Sequence, residues 1–332
     1  MNNFIFTCGD INGIGPEISI KAINELYSIE KYKITLVIPK NVFEFYKEQI
    51  PIEFPYNICN SITKEDISDS KVSILDIGKS ELNIGSVTAN SGLSSFNAII
   101  KAFELIKTQF GSAIITAPVS KEAWQKGGIK FTGHTELLAS LTNVSNYAMM
   151  FLSKRFKAVL TTIHIPISSV SSNLSITKIK NTIMQAHNTF EYDLKIKSPR
   201  IAVLGLNPHA GENGQLGAEE IDLIIPAIKE LQEKGINVTG PFVPDAFFGA
   251  KLHNKFDVTV GMYHDQVLIP FKLLNFDEGV NYTSGLPIIR TSPDHGTAFD
   301  IARKLVANPN SIIESFNWAR EIVKNRNCSF NK

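Results

Sequence analysis

The sequence predicts an α/β protein built around a mostly parallel sheet. Short apolar runs rich in β-branched residues alternate with longer stretches of helical period through most of the 332 residues, and this alternation is typical of βα units. Apolar residues make up 43% of the chain and charged residues 20%, which is the composition of a globular protein rather than of a disordered chain. The length allows about two domains of ordinary size.

The first part of the chain consists of predicted βα units. Residues 3–7 form an apolar strand pattern, a glycine-rich turn follows, and a helix is predicted from Pro16 with Glu17 in its first turn. Strand and helix pairs recur at residues 34–38 with 42–47 and at 113–116 with 121–125.

The pattern changes after Gly133, where we expect a second lobe to begin. Residues 147–152 and 156–163 predict an antiparallel pair joined by a basic turn. Later segments predict helices at 175–192, 219–233, 297–306 and 311–325 and strands at 201–206 and 257–262. We expect the last two helices to pack on the first lobe, and a ligand cleft to lie between the lobes.

Charge and cysteine content exclude several classes of protein. Lys and Arg number 33 against 32 Asp and Glu, so we expect binding neither to nucleic acid nor to a membrane. The cysteines at 8, 59 and 328 are widely spaced, which argues against a disulfide framework. Because no signal peptide and no apolar run of about 18 residues is present, we expect a cytoplasmic protein.

The glycine turn at residues 9–17 occupies the place of a dinucleotide-binding fingerprint but does not match one. The third glycine of that fingerprint is replaced by Ile18, and Pro16 removes a backbone donor that a phosphate would use. The alternative is a turn that needs flexible backbone for close packing of strand and helix.

Three histidines follow predicted strands. His164, His209 and His264 come after apolar runs, and residues just beyond the carboxyl ends of parallel strands face the ligand crevice. Three neutral imidazoles suit a catalytic divalent metal, and nitrogen ligands favour zinc, cobalt or nickel over magnesium. The alternative for each histidine is a hydrogen-bonded core or surface residue.

A second set of side chains has the chemistry of a phosphate site. Lys272, Asn281 and Arg290 offer a point charge, an amide donor and a guanidinium fork, and the alternative is solvated surface charge. His134 and Thr135 stand at a predicted helix N-terminus that would hold a carboxylate or phosphate, or Thr135 is an ordinary cap. Residues 294–298 also precede a predicted helix and would cradle a nucleotide.

These segments together resemble the 4-hydroxythreonine-4-phosphate dehydrogenase family of vitamin B6 synthesis. The resemblance runs nearly end to end and rests on these words of the sequence: Gly13-Ile14-Gly15-Pro16-Glu17, Thr116-Ala117-Pro118-Val119-Ser120-Lys121, Gly133-His134-Thr135-Glu136, Leu206-Asn207-Pro208-His209-Ala210-Gly211-Glu212, Met262-Tyr263-His264-Asp265-Gln266, Gly285-Leu286-Pro287, Ile289-Arg290-Thr291-Ser292 and Asp294-His295-Gly296-Thr297-Ala298.

The resemblance implies a two-lobed α/β/α fold of the isocitrate and isopropylmalate dehydrogenase type, not a Rossmann fold. One lobe, residues 1–132 with 291–332, would contribute cofactor binding. The other, residues 133–290, would carry metal and substrate residues and the dimer interface. The implied assembly is a homodimer whose metal site draws ligands from both subunits.

Matching positions imply a role for each candidate residue. The metal ligands would be His164, His209 and His264, and the substrate contacts would be His134, Thr135, Lys272, Asn281 and Arg290. The loop of His295, Gly296, Thr297 and Ala298 would hold the adenosine part of the cofactor. Asp245 and Asp265 are candidate catalytic carboxylates, and each would either take a proton or orient the substrate amine or a metal ligand.

The implied reaction oxidises 4-phosphooxy-L-threonine at C3 with NAD or NADP and a divalent metal, which is zinc, cobalt, manganese or magnesium. Loss of carbon dioxide then yields 3-amino-2-oxopropyl phosphate for pyridoxine 5'-phosphate biosynthesis. One alternative is the same reaction on threonate or erythronate 4-phosphate. Another is a phosphate-binding module without redox activity, which would bind no divalent metal tightly and produce no reduced nicotinamide.

Overall fold

The computed structural model describes residues 2–29, 32–61 and 71–330. The chain divides into two compact units. Unit 1 comprises Met1–Asn143 and Pro287–Val323, and unit 2 comprises Val144–Leu286 and Lys324–Lys332.

The strands in the described ranges are β1 (Asn2–Thr7), β2 (Tyr32–Ile38), β3 (Tyr56–Cys59), β4 (Val72–Asp76), β5 (Ala113–Thr116), β6 (Ala148–Leu152), β7 (Ala158–Leu160), β8 (Ile201–Leu204), β9 (Val238–Phe242), β10 (Val258–Gly261), β11 (Val280–Ser284) and β12 (Arg290–Pro293).

The α-helices there are α1 (Gly15–Leu26), α2 (Lys40–Lys47), α3 (Ala89–Lys107), α4 (Lys121–Lys126), α5 (His134–Leu141), α6 (Ile176–Asn188), α7 (Ile225–Gln232), α8 (Pro244–Gly249), α9 (His264–Asn275) and α10 (Asn310–Phe330). A π-helical turn at Thr189–Asp193 extends α6, and another at Glu220–Ile224 leads into α7.

Unit 1 contains a parallel sheet in the strand order β3-β4-β2-β1-β5-β12. Phe4, Ile5 and Phe6 in β1 are all fully buried. Consecutive side chains of a strand point to opposite faces, so both faces of this sheet are covered, as is usual for parallel sheets.

The glycine turn after β1 serves close packing, which confirms the alternative to a dinucleotide fingerprint. Gly9 has a φ of 65°, and a β-carbon there would lie 2.4 Å from Pro118 O. A β-carbon on Gly15 would lie 2.2 Å from Cys8 O. Only glycine allows these backbones to approach so closely.

Unit 2 contains a mixed sheet in the order β11-β6-β7-β10-β8-β9. The predicted antiparallel pair at residues 147–163 is confirmed as β6 and β7. β7, β10, β8 and β9 are parallel to one another. Phe151, Phe156 and Phe271 lie in the buried cluster that packs on this sheet.

The predicted helix at 297–306 is wrong, because these residues form turns. Ala298 and Leu305 have φ values of 45° and 54°, which a right-handed helix excludes. Contacts far apart in sequence hold this backbone: Ile14 N donates to Thr297 O at 3.0 Å, and Lys21 Nζ donates to Leu305 O at 2.9 Å. The helix predicted at 311–325 is confirmed within α10.

The division of the chain differs from the predicted one. The boundaries expected at 132/133 and 290/291 lie at 143/144 and 286/287, and residues 324–332 belong to unit 2. α5 lies in unit 1, where the ring centroids of His134 and Trp124 are 6.1 Å apart. The end of α10 belongs to unit 2 because Arg326 Nε donates to Asp193 Oδ1 at 2.7 Å.

Within the described ranges, no helix has both the length and the apolar character needed to cross a membrane.

Candidate active site

The three candidate metal-binding histidines follow three neighbouring strands of unit 2. β7 and β8 both pair with β10 in parallel, and the chain reaches His164, His209 and His264 shortly after these strands end. The carboxyl ends of parallel strands lie at one edge of a sheet. The structure therefore places all three histidines beyond the same edge, with His264 as the first residue of α9.

His164 and His264 lie side by side. Their ring centroids are 5.7 Å apart, and both line a cleft of about 290 Å³ whose other lining residues are Thr162, Ile165, Ile167, Val170, Tyr263 and Asp265. His264 Nδ1 lies 2.6 Å from Asp265 Oδ1, which leaves Nε2 as the nitrogen available to a ligand. A carboxylate on the second ring nitrogen is the usual arrangement around a metal-binding histidine.

Gln266 connects the ends of β8 and β10, and it is not among the candidate residues predicted from the sequence. Met262 N donates to Gln266 Oε1 at 2.7 Å, and Gln266 Nε2 donates to Gly205 O at 2.6 Å. Thr162 Oγ1 donates to Met262 O at 2.6 Å, which joins the segment after β7 to the segment after β10. The sequence does contain a signal for Gln266, because this residue lies two positions after His264 in the same motif.

His209 lies on an exposed turn with left-handed backbone (φ 53°, ψ 25°). In the part of the chain that the structure describes, no group of three or more His, Cys, Asp or Glu residues is placed to hold a metal ion. A single chain thus brings His164 and His264 together without completing a three-histidine site.

Unit 1 contains a buried cationic group beside a neutral histidine. Arg290 is 3% exposed, and its Nε and Nη2 donate to Thr116 Oγ1 at 3.0 and 2.8 Å. Burial lowers the pKa of Arg290 to about 9, opposed by the nearby Glu136. Burial and the Arg290 charge lower the pKa of His134 well below its ordinary value, so that imidazole is neutral at pH 7.

Arg290 is the first residue of β12. It pairs with Ile114 in β5, which brings it to Thr116 at the end of that strand. Thr135 is buried in the first turn of α5. The sequence did not indicate that Thr116 contacts Arg290, although Thr116 is the first residue of one of the motifs.

Two of the candidate substrate contacts each have a buried side-chain atom without a hydrogen-bond partner among the described residues: Nε2 of His134 in unit 1 and Oδ1 of Asn281 in unit 2. Buried polar atoms are nearly always paired, so each is suited to a polar ligand. Asn281 is in β11, opposite Phe151 in β6, and Lys272 is in the last turn of α9.

The remaining candidate residues are Asp245 and the loop at residues 295–298. Asp245 is exposed in the first turn of α8, and α8 contacts the turn that carries His209. His295 is half-buried, and its Nδ1 lies 3.0 Å from Gly296 O. A β-carbon on Gly296 would meet open space. The predicted helix after this loop is absent, so no helix N-terminus is available there to hold a nucleotide phosphate.

Comparison with known proteins shows extensive similarity. Residues 30–319 match the family described as pyridoxal phosphate biosynthetic protein PdxA. A 4-hydroxythreonine-4-phosphate dehydrogenase from Sulfurihydrogenibium sp. is 39% identical over 321 residues, covering 96% of this chain and 98% of that protein. A protein from Oceanobacillus iheyensis named "Putative D-threonate 4-phosphate dehydrogenase" is 38% identical over 323 residues, covering 96% of each chain.

Solved structures agree with the fold expected from the resemblance. The structure of 4-hydroxythreonine-4-phosphate dehydrogenase from Klebsiella pneumoniae has a TM-score of 0.84 and 36% identity, covering 97% of this chain and 100% of that one. Isocitrate dehydrogenase from Methylococcus capsulatus has a TM-score of 0.51 and 13% identity, covering 99% of this chain and 88% of that one. The latter similarity concerns the fold alone and confirms the predicted fold type.

Proposed function

Because the chain belongs to the family of the pyridoxal phosphate biosynthetic protein PdxA, we propose that it oxidises 4-phosphooxy-L-threonine at C3 with NAD or NADP. The oxidation product loses carbon dioxide to give 3-amino-2-oxopropyl phosphate, a precursor of pyridoxine 5'-phosphate. The observation that carries the proposal is the adjacent pair His164 and His264 beyond the ends of two neighbouring strands. His264 lies in one of the motifs through which the chain resembles the family, Met262-Tyr263-His264-Asp265-Gln266.

The reaction has two steps. A hydride leaves C3 for the nicotinamide ring, and the C3 hydroxyl gives its proton to a base, so that a ketone and reduced nicotinamide form. The bond between C2 and the carboxylate carbon then breaks, carbon dioxide leaves, and its electron pair passes to an enolate that takes a proton at C2.

The imidazoles are a donor set suited to zinc or cobalt, and manganese or magnesium would bind with help from carboxylate oxygens. His164 and His264 would hold the metal together with His209. When bound, the metal supplies Lewis acidity, which favours loss of the hydroxyl proton and stabilises negative charge during decarboxylation. We assign Asp265 to orienting His264, because it is hydrogen-bonded to that ring, and Asp245 to proton transfer.

The substrate contacts combine charge with directed hydrogen bonds. Arg290 remains protonated at neutral pH, since its pKa is about 9, and its guanidinium suits a phosphate dianion or a carboxylate. Neutral His134 offers Nε2 as a donor or acceptor. Thr135, Lys272 and Asn281 complete the proposed set, which orients the substrate away from the reacting carbon.

The proposal includes a homodimer that completes the metal site. A single chain converges His164 and His264 but supplies no third ligand in the described ranges. On α9, the apolar side chains of Ile269 and Leu273 are 59% and 82% exposed, and that of Phe276, the residue that caps the end of the helix, is 75% exposed. Their spacing places them on one stripe of the helix. A second copy of the chain would bury this stripe and bring its own His209.

The cofactor proposal concerns the loop of His295, Gly296, Thr297 and Ala298. The open space beside Gly296 would allow a ligand to approach the backbone closely. Thr297 O accepts a hydrogen bond from Ile14 N, which fixes the loop to the glycine turn. We propose that this loop contacts the adenosine part of NAD or NADP, and that the enzyme acts in the cytoplasm.

The test is formation of reduced nicotinamide from 4-phosphooxy-L-threonine by metal-stripped protein, before and after addition of zinc, cobalt, manganese or magnesium. Turnover that requires metal and either NAD or NADP is the expected result. Protein that binds no metal and forms no reduced nicotinamide with any phosphorylated acid would instead be a non-redox binding module.

The second candidate function is the same reaction on D-threonate 4-phosphate or erythronate 4-phosphate. The similarity to the Oceanobacillus iheyensis protein, 38% over 323 residues, is nearly equal to that of a relative named for the aminated substrate and matched over a similar length, which is 39% identical over 321 residues. Parallel assays with the aminated and hydroxylated acids separate the two functions, because activity on only the hydroxylated acids would retain the mechanism and change the pathway.

A further inference from the structure

The turn that carries His209 has an unusual backbone. His209, Ala210, Gly211, Glu212 and Asn213 all have positive φ values, between 44° and 81°. Residues other than glycine enter this left-handed region mostly as single residues. A run of five therefore persists only where surrounding contacts hold it, and such strained segments are concentrated at functional sites.

One buried carboxylate lies at the base of this turn. Glu220 is 1% exposed, and its Oε1 accepts hydrogen bonds from Leu206 N at 2.7 Å and from Asn207 N at 2.8 Å. Its Oε2 accepts a hydrogen bond from Asn207 Nδ2 at 2.9 Å. These donors immediately precede Pro208 and His209, so the carboxylate fixes the chain where it enters the left-handed turn.

The turn also wraps around the carboxylate. A β-carbon on Gly211 would lie 2.7 Å from Glu220 Oε2, and one on Gly205 would lie 3.0 Å from Oε1. Glu220 begins the π-helical turn at Glu220–Ile224, and no ion pair to Glu220 is found in the described part of the chain. Because a buried carboxylate without a cation is costly, its retention here points to a role that an apolar side chain cannot fill.

The neighbouring Glu219 extends this contact toward the segment after His164. Asn207 Nδ2 donates to Glu219 Oε2 at 2.7 Å, and Ser171 Oγ donates to Glu219 Oε1 at 2.5 Å. These two hydrogen bonds lower the pKa of Glu219, which keeps it ionised as their acceptor. Asn207 thus connects the buried carboxylate to the chain that follows His164.

We infer that Glu220 is a positioning residue that holds His209 in place for a divalent metal ion. This role rests on the proposed function, because it requires His209 to be a metal ligand. Glu220 acts through the backbone of Leu206 and Asn207 and does not contact the metal. Residues that orient metal ligands typically change metal affinity by about 10- to 100-fold when they are replaced.

The variant Glu220→Gln tests this role with nearly unchanged volume. Its amide oxygen can accept the two backbone hydrogen bonds, but its amide nitrogen then faces Nδ2 of Asn207, and two donors oppose each other. The opposite rotamer places the amide nitrogen against the backbone amides. The matched control is Asp222→Asn, which removes an exposed carboxylate from the same π-helical turn.

Two measurements are made on the full-length, metal-stripped protein: cobalt binding by titration of the visible absorption, and amide hydrogen exchange of residues 206–213. We expect Glu220→Gln to weaken cobalt binding at least about 10-fold and to accelerate exchange, with Asp222→Asn within about twofold of wild type. Should Glu220→Gln fail to fold, Asn207→Ala, which keeps the Glu220 carboxylate, is expected to weaken binding in the same direction.

The outcomes separate this inference from the proposed function. If wild type binds cobalt and the folded Glu220→Gln protein binds it equally well, the positioning role is overturned and the proposed function stands. Unchanged hydrogen exchange in Glu220→Gln likewise overturns the role. If wild type does not bind cobalt, both the metal function and the positioning role are overturned. If wild type binds cobalt and His209→Ala binds it as tightly, His209 is not a ligand and the positioning role is overturned.

Discussion

Asp10 in the glycine turn makes the stability of this protein depend on pH. The side chain is fully buried, Asn12 N donates to its Oδ1 at 3.0 Å, and Ser91 Oγ lies 3.1 Å from its Oδ2. Burial raises the pKa of Asp10 from 3.8 to about 6, against the effect of these two hydrogen bonds. The folded protein therefore binds a proton more tightly at Asp10 than the unfolded chain does.

The size and sign of the effect follow from this shift. A carboxyl whose pKa is raised by folding favours the folded state below pH 3.8, and this contribution is lost as the pH rises to about 6. At about 1.4 kcal/mol per pKa unit, the ionised Asp10 lowers the free energy of unfolding by roughly 3 kcal/mol above pH 6, relative to its protonated form. Asp10→Asn keeps the shape without the charge.

The hydrogen bonds of the turn can be kept in the Asp10→Asn variant. The amide oxygen would accept from Asn12 N, and the amide nitrogen would donate to Ser91 Oγ. The Ser91 hydroxyl has a second acceptor in Thr88 O at 3.1 Å. We therefore expect Asp10→Asn to be more stable than wild type at pH 8 by up to about 3 kcal/mol, with the difference disappearing near pH 4.

The assay is urea unfolding of wild type and Asp10→Asn at pH 4, 5, 6, 7 and 8, with Glu25→Gln, an exposed carboxylate on α1, as the control. Glu25→Gln should follow wild type at every pH. A constant difference between Asp10→Asn and wild type from pH 4 to 8, or a less stable variant at pH 8, would show that the pKa of Asp10 is not raised, because a raised pKa at this carboxyl produces neither result.

Three further predictions concern the candidate site and the supporting fold. Arg290→Lys should lower kcat/KM for the phosphorylated substrate about 100-fold, since one ammonium cannot replace a buried guanidinium fork. Steady-state kinetics measure this loss, with Arg320→Lys as the control variant. A loss of less than about threefold in Arg290→Lys would contradict the prediction. Leu273→Asp should shift the protein from dimer to monomer in light scattering and weaken cobalt binding, because it places a charge at a side chain that is 82% exposed on the proposed interface. The control Val306→Asp, at a 64% exposed apolar residue of unit 1, should remain dimeric. A dimeric Leu273→Asp protein would argue against this interface. Arg326→Met should lower the free energy of unfolding by about 3–5 kcal/mol, because it leaves the buried Asp193 carboxylate and Tyr282 without their cation. Denaturant unfolding measures this loss, with Lys324→Met as the control variant. Equal unfolding midpoints for Arg326→Met and wild type would contradict the prediction.

Local pattern predicted most elements of this protein. β1 and β5 each contain a short apolar run, and the β6–β7 hairpin surrounds a short polar turn, so each is recognisable from neighbouring residues alone. The prediction failed at residues 297–306, which have the spacing of a helix. There the hydrogen bonds from Ile14 N and Lys21 Nζ hold the backbone in turns, and the sequence pattern contains no sign of these distant donors.

The candidate residues for chemistry could be identified from the linear chain, because histidines after apolar strands and motifs in a fixed order are properties of that chain. Which candidates meet depends on the tertiary structure. β7, β10 and β8 are neighbours in an order that differs from their order along the chain, and only this pairing places His164 beside His264. The tertiary structure also places His209 on a left-handed turn, whose preceding residues Leu206 and Asn207 are hydrogen-bonded to the buried Glu220. Such a backbone has no signature in local propensity, since it is stabilised by contacts with residues elsewhere in the fold.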